Sequence, residues 1–162
     1  MPNTLQEFLV QATQKAADDL EAALLRLPED KRNWSPMGQA RPALDQVAEC
    51  AILNGTTADL IKSRTWPADL DFGEFVRAKA ELARDWNALK SLLQENTAKV
   101  IAVIRAVPNE DLGIEIYIPQ EMISKSERGP TTLAQVISYP YWNMSYHEGQ
   151  INYIASMLDF LP

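Results

Sequence analysis

The chain contains one cysteine and one histidine. A single cysteine, Cys50, excludes an internal disulfide and any zinc module built from several thiolates, and it fits a reducing compartment. With 162 residues, a full core can form without such staples, so size gives no reason to invoke a metal. Basic runs are missing too. Against 22 acidic residues stand 15 basic ones, a net charge of −7, and no Lys and Arg cluster lines up as a phosphate-binding stripe would require. That argues against nucleic acid as a partner. No apolar run approaches bilayer-crossing length, the first residues carry no charged-then-apolar signal pattern, and there are no repeats or low-complexity segments. These absences predict one soluble, cytoplasmic domain over residues 1–162, away from the membrane.

What is present is helical periodicity. Leu133, Ile137, Pro140, Met144, His147, Ile151, Ile154 and Leu158 follow one another at steps of three and four, the apolar seam of one long helix over Thr131 to Leu158. Thr131 or Thr132 is its N-cap, and Pro140, inside the pattern, predicts a kink just before Asn143. A first helix runs from the N-cap Thr4 to about Leu27 and ends at Pro28, with Asp18, Asp19, Glu21 and Arg26 on its solvated faces. Pro28 to Pro42 reads as a loop anchored by Trp34. A second helix starts near Pro42 and is closed by Thr65-Trp66-Pro67; its stripe Leu44, Ala48, Ala51, Gly55 and Ala58 is small enough for another helix to approach closely. After a connection at Ala68 to Gly73, Phe75, Leu82, Trp86, Leu89, Leu93, Val100, Ile104 and Val107 predict a third long helix that stops before Pro108. Alternation over Ile114 to Ile118 predicts a short edge strand or hairpin limited by Pro119, and Gln120 to Pro130, with Lys125, Ser126, Glu127, Arg128 and Gly129, reads as a polar loop.

Three residues stand out for chemistry. His147 lies in the last apolar seam, and Asn143, one turn earlier, projects from the same face. Gln150 is on the His147 side, whereas Glu148 lies about 100° round the helix and makes no dyad with it. A lone histidine on an apolar face reads most simply as a hydrogen-bonded core residue. Glu49 lies beside the small-residue stripe of the second helix with Ile52 and Leu53 one turn on. Such a carboxylate is either partly buried and paired or reaches out from a boundary position, and spacing alone favours the boundary. Cys50 reads as a small buried apolar residue, since no basic neighbour is evident to activate it. Tyr139, Tyr141, Trp142, Tyr146 and Tyr153 flank the seam, most reading as packing residues with a hydroxyl at the edge and one as free to touch a ligand.

The run Tyr146-His147-Glu148-Gly149-Gln150-Ile151 resembles the Tyr-His-x-Gly-Gln-Ile signature in the last helix of the DinB-like (YfiT-like) four-helix-bundle family. The Trp34 loop, the pattern Ala43-Leu44-Asp45-Gln46-Val47-Ala48-Glu49-Cys50 and the total length agree with it. The resemblance implies an all-α four-helix bundle, up-down-down-up or related, with a short strand or hairpin before the last helix. It also implies a homodimer and a divalent-metal site made of one histidine from the second helix and a pair at i and i+4 on the last. Family members include thiol-dependent transferases and isomerases. Carried onto this chain, the metal positions fall at Glu49, Asn143 and His147, so one imidazole is kept and two are replaced by oxygen donors, of which only the carboxylate is a strong ligand. Two expectations follow. One is a divalent-metal-dependent hydrolase, or a transferase using a low-molecular-weight thiol, with a degenerate zinc, nickel, manganese or iron site acting on a small-molecule substrate. The alternative is a non-catalytic helical binding or dimerisation protein whose metal site has decayed into a hydrogen-bonded polar network.

Overall fold

The computed structural model describes residues 4–67, 71–119 and 130–159. They are predominantly helical: α1 (Leu5–Arg26), α2 (Ala43–Ser63), α3 (Phe72–Leu82), α4 (Trp86–Arg105), a two-stranded antiparallel sheet of β1 (Glu115–Ile116) and β2 (Thr131–Thr132), α5 (Leu133–Val136) and α6 (Tyr139–Met157). Among the described residues, no helix is long and apolar enough to cross a membrane.

The ends of α1 follow the sequence closely. The Thr4 side chain accepts a hydrogen bond from the Glu7 backbone N–H, Leu27 closes the helix, and Pro28, with no N–H to give, cannot continue it. In the following loop Trp34 is half-buried against the core, as its anchor role requires. α2 begins after Pro42 and ends at Arg64, whose left-handed backbone (φ 58°) forms its C-cap. The stripe on α2 is buried throughout or replaced by backbone, and it brings α4 close: a methyl added at Gly55 would lie 2.7 Å from Asn96 Nδ2. That amide instead donates to the Ala51 carbonyl at 2.9 Å.

Two helices that periodicity reads as continuous are broken. The predicted third helix divides at Ala83 to Asp85 into α3 and α4, because the Asp85 carboxylate accepts from the backbone N–H groups of Asn87 and Ala88 at 3.0 and 3.1 Å and starts a new helix there. Apolar spacing carries across the break and conceals it. The predicted last helix also divides. Thr132 caps α5 through a reciprocal capping box with Gln135, the chain turns at Ile137 and Ser138, and Pro140 falls in the first turn of α6, where its missing N–H costs nothing. Pro140 therefore marks a helix start and not a kink. The strand is shorter than the alternation predicts: only Glu115 and Ile116 pair, with Thr132 and Thr131 respectively, although Ile116 and Ile118 both point into the core. The loop expected over 120–130 lies outside the described residues except for Pro130, and the 68–73 connection lies outside them except for its last three residues, where Phe72 already begins α3.

Cross-helix contacts fix the relative directions. Phe8 meets Tyr141 and Arg26 reaches Asn152, so α1 and α6 run parallel. The α2–α4 contacts rise together from Ala51–Asn96 to Asp59–Lys99, so these helices are parallel as well. In contrast, Gln46 faces His147 while Asn54 reaches Met144, which makes α2 antiparallel to α6; Gln6 at Val107 and Glu21 at Lys90 make α1 antiparallel to α4. Glu21 and Arg26 are thus inter-helix partners, beyond the plain solvated face expected of them. Leu20, Leu24, Leu27, Val47, Ala51, Leu89, Leu93, Met144 and Ile151 fill one end of the core, and Leu9, Ile61, Val100, Ile104, Leu133 and Ile137 fill the other.

Candidate functional site

α2 and α6 cross antiparallel, and this places Gln46, Glu49 and Cys50 against Gln150, His147 and Asn143. His147 is 2% exposed, so every polar atom of its ring needs a protein partner. Gln46 Oε1 is 3.1 Å and Gln150 Oε1 3.0 Å from its Nδ1. The Gln46 amide is oriented by its own Nε2, which donates to the Arg41 carbonyl at 3.0 Å, so the oxygen is the atom left for the ring. Nδ1 accordingly carries a hydrogen. Across the ring, Nε2 is 3.2 Å from Glu49 Oε1. Side-chain oxygens of Gln46, Gln150 and Glu49 thus face the imidazole from both edges.

Glu49 is not the boundary carboxylate that spacing favours; it is partly buried and paired. Its second oxygen, Oε2, lies 2.8 Å from Arg41 Nη2 and 3.8 Å from Lys79 Nζ. Burial alone would raise its pKa, but the hydrogen bond from His147 and the charge of Arg41 outweigh burial and hold it at about 2, well below the ordinary 4.5. Asp45, one turn earlier on α2, accepts from Arg41 Nε at 2.6 Å and from Lys79 Nζ at 3.1 Å. Two carboxylates and two cations therefore alternate beside the histidine. Burial works against the charge on Arg41, yet its contacts with Asp45 and Glu49 leave its pKa raised.

Asn143 takes a different direction. Its Nδ2 donates to Cys50 Sγ at 3.5 Å, and its hydrogen bond goes there and not to Glu49 or His147. Cys50 is fully buried, as expected of a small apolar residue, and burial pushes its thiol pKa up. Gln150 bonds His147 as its position on the helix suggested, and Glu148 turns away to accept from Asn152 at 2.8 Å. Arg41, Gln46 and Lys79 are the residues that sequence spacing missed. Arg41 was visible only as part of a helix start, and Lys79 is brought to Glu49 by the fold of α3, which leaves no periodic signal. Among the described residues, no three His, Cys, Asp or Glu side chains come together around a metal-sized space.

A cleft of about 430 Å³ opens on the Nδ1 side of the histidine. Arg41, Gln46 and Gln150 form its polar part, Tyr146, Tyr153, Ile154 and Met157 give one wall, and Pro36 and Ala40 give the other. Tyr146 packs edge-on to His147 with ring centroids 5.3 Å apart and stacks on Trp142 at 5.5 Å. The arrangement offers the Gln150 amide nitrogen and aromatic surface to a small molecule. Comparison of the chain with family models, with curated proteins and with solved structures returns no match.

Proposed function

We propose that this chain is a DinB-like four-helix bundle, built from α1, α2, α4 and α6, that serves as a helical binding protein without a catalytic metal at the family's position. The division of the Glu49 carboxylate carries the reading: one oxygen faces His147 Nε2 at 3.2 Å and the other meets Arg41 Nη2 at 2.8 Å. A divalent ion between Glu49 Oε1 and His147 Nε2 would replace their hydrogen bond and sit near the Arg41 guanidinium and the Lys79 ammonium on the other oxygen, with like charges at short range in a partly buried site. Asn143, the third donor implied by the resemblance, is occupied with Cys50. The residues present do not fit a divalent ion. The ligand-binding part of the proposal rests on the cleft beside His147, whose mixed polar and aromatic lining suits a small organic molecule. The resemblance further implies a homodimer. Support for it is the uncharged outer stripe of α6, where Trp142, Tyr146 and Tyr153 are each more than half exposed.

The deciding experiment is the metal content of untagged protein purified without chelator or nickel resin, beside Glu49→Ala, His147→Ala and Arg41→Ala variants. The parent is expected to contain no stoichiometric zinc, nickel, manganese or iron and to take none up on titration, whereas Arg41→Ala, freed of the competing guanidinium, gains zinc affinity. Stoichiometric metal that disappears in both the Glu49 and His147 variants would overturn the reading in favour of a metal-dependent hydrolase or thiol-dependent transferase. Sedimentation of the same sample as a monomer would remove the dimer from it.

A further inference from the structure

Among the described residues, α3 is the one longer helix that buries no residue. Phe72 and Val76 are 59% and 45% exposed, so apolar side chains on this helix face water. Its C-terminal end is tethered, with Leu82 and Ala83 packed on the core and a turn at Ala83 to Asp85 leading into α4. Its middle is held differently. The Lys79 side chain, only 15% exposed, crosses to α2 and lies 3.1 Å from Asp45 Oδ1 and 3.8 Å from Glu49 Oε2. Phe75 lies under the same ammonium, 5.9 Å from ring centroid to Nζ. An eleven-residue helix is marginal by itself. The ion pairs made by one lysine are therefore the main polar attachment between this helix and the rest of the molecule.

We propose that α3 is a lid over the Glu49 side of the candidate site, hinged at Ala83 to Asp85 and latched by Lys79. In the closed form Lys79 and Arg41 cover the carboxylate from two sides. Releasing Lys79 detaches α3 from α2, and the freed helix, marginal by itself, opens and leaves Glu49 reachable from solvent while α2, α4 and α6 keep their packing. Low-stability segments of this kind open independently of the core. The proposal depends on where the site lies and not on what it binds, so the metal measurement above does not bear on it.

The test is hydrogen exchange, read peptide by peptide on the full chain, for wild type, Lys79→Ala and Lys79→Arg. In wild type, α3 amides are expected to be protected, though less than those of α4. Lys79→Ala should speed exchange over Phe75 to Leu82 by roughly tenfold, as loss of a partly buried ion pair would, while Leu89 to Ile104 exchange at the wild-type rate. Lys79→Arg, which keeps the charge, should restore most of the protection. Wild-type rates for α3 in Lys79→Ala would overturn the latch. Unprotected α3 amides in wild type would overturn it equally. If α3 and α4 accelerate together, the two helices open as one cooperative unit and there is no lid.

Discussion

α3 and α4 share one apolar rhythm in sequence and differ in almost everything else. α4 buries Leu89, Leu93, Thr97, Val100, Ile101, Val103 and Ile104; α3 buries nothing. The contact of α4 with α2 is close and buried, with Gly55 admitting Asn96 to within hydrogen-bonding range of the Ala51 carbonyl. The contact of α3 with α2 is carried by a lysine on two carboxylates. Periodicity identifies a face that is suited to burial, and whether anything covers that face depends on where the chain goes next. In α4 the face meets α1 and α2, whereas in α3 much of it remains in water.

That contrast can be broken most forcefully in the core. Leu93→Ala, at a position 2% exposed, should cost about 2–5 kcal/mol in equilibrium denaturation, whereas Val76→Ala on α3 should stay within about 0.5 kcal/mol. Comparable losses at both sites would mean that the helices are equally buried in solution. Acid should separate the two contacts next. The Glu49 carboxyl is held at about 2 in the folded protein against an ordinary 4.5, so its contribution, roughly 3 kcal/mol at most, is complete above pH 4.5 and is lost as pH falls towards 2. Glu49→Gln lacks that contribution at every pH, and its stability deficit relative to wild type should shrink across the same window. A deficit that is constant down to pH 2 would show that Glu49 is not held by Arg41 and His147. The smallest effect is expected at the boundary itself. Asp85→Ala removes the side-chain cap of α4 and should cost about 1 kcal/mol, with faster exchange confined to the first turn of α4; an unchanged midpoint would show that the break between the helices does not depend on Asp85.

The candidate site was legible in part. His147 and Gln150 share a helical face, and a lone histidine on an apolar stripe predicts a buried, hydrogen-bonded ring, which is what Gln46, Gln150 and Glu49 provide. Glu49 was legible as a candidate, but its state was not. From its neighbours on α2 a boundary carboxylate and a paired one look the same, because the partners that decide between them come from the loop before the helix, from α3 and from α6. The resemblance put Asn143 in the site as well, and α6 directs it to Cys50 instead. A one-turn offset along a helix ensures a shared face without ensuring a shared target.

The sequence by itself determined where most helices begin and end, since caps and prolines act locally: Thr4, Pro28, Pro42 and Thr132 do the same work in any surroundings. It also determined which faces of α1, α2, α4 and α6 are apolar. Tertiary structure decided the rest. Which charges meet Glu49, where Asn143 points and whether anything covers the apolar face of α3 all depend on residues that are distant in sequence. Electrostatic pairing and burial are properties of neighbours in space, and the spacing of residues along one chain segment carries no record of them.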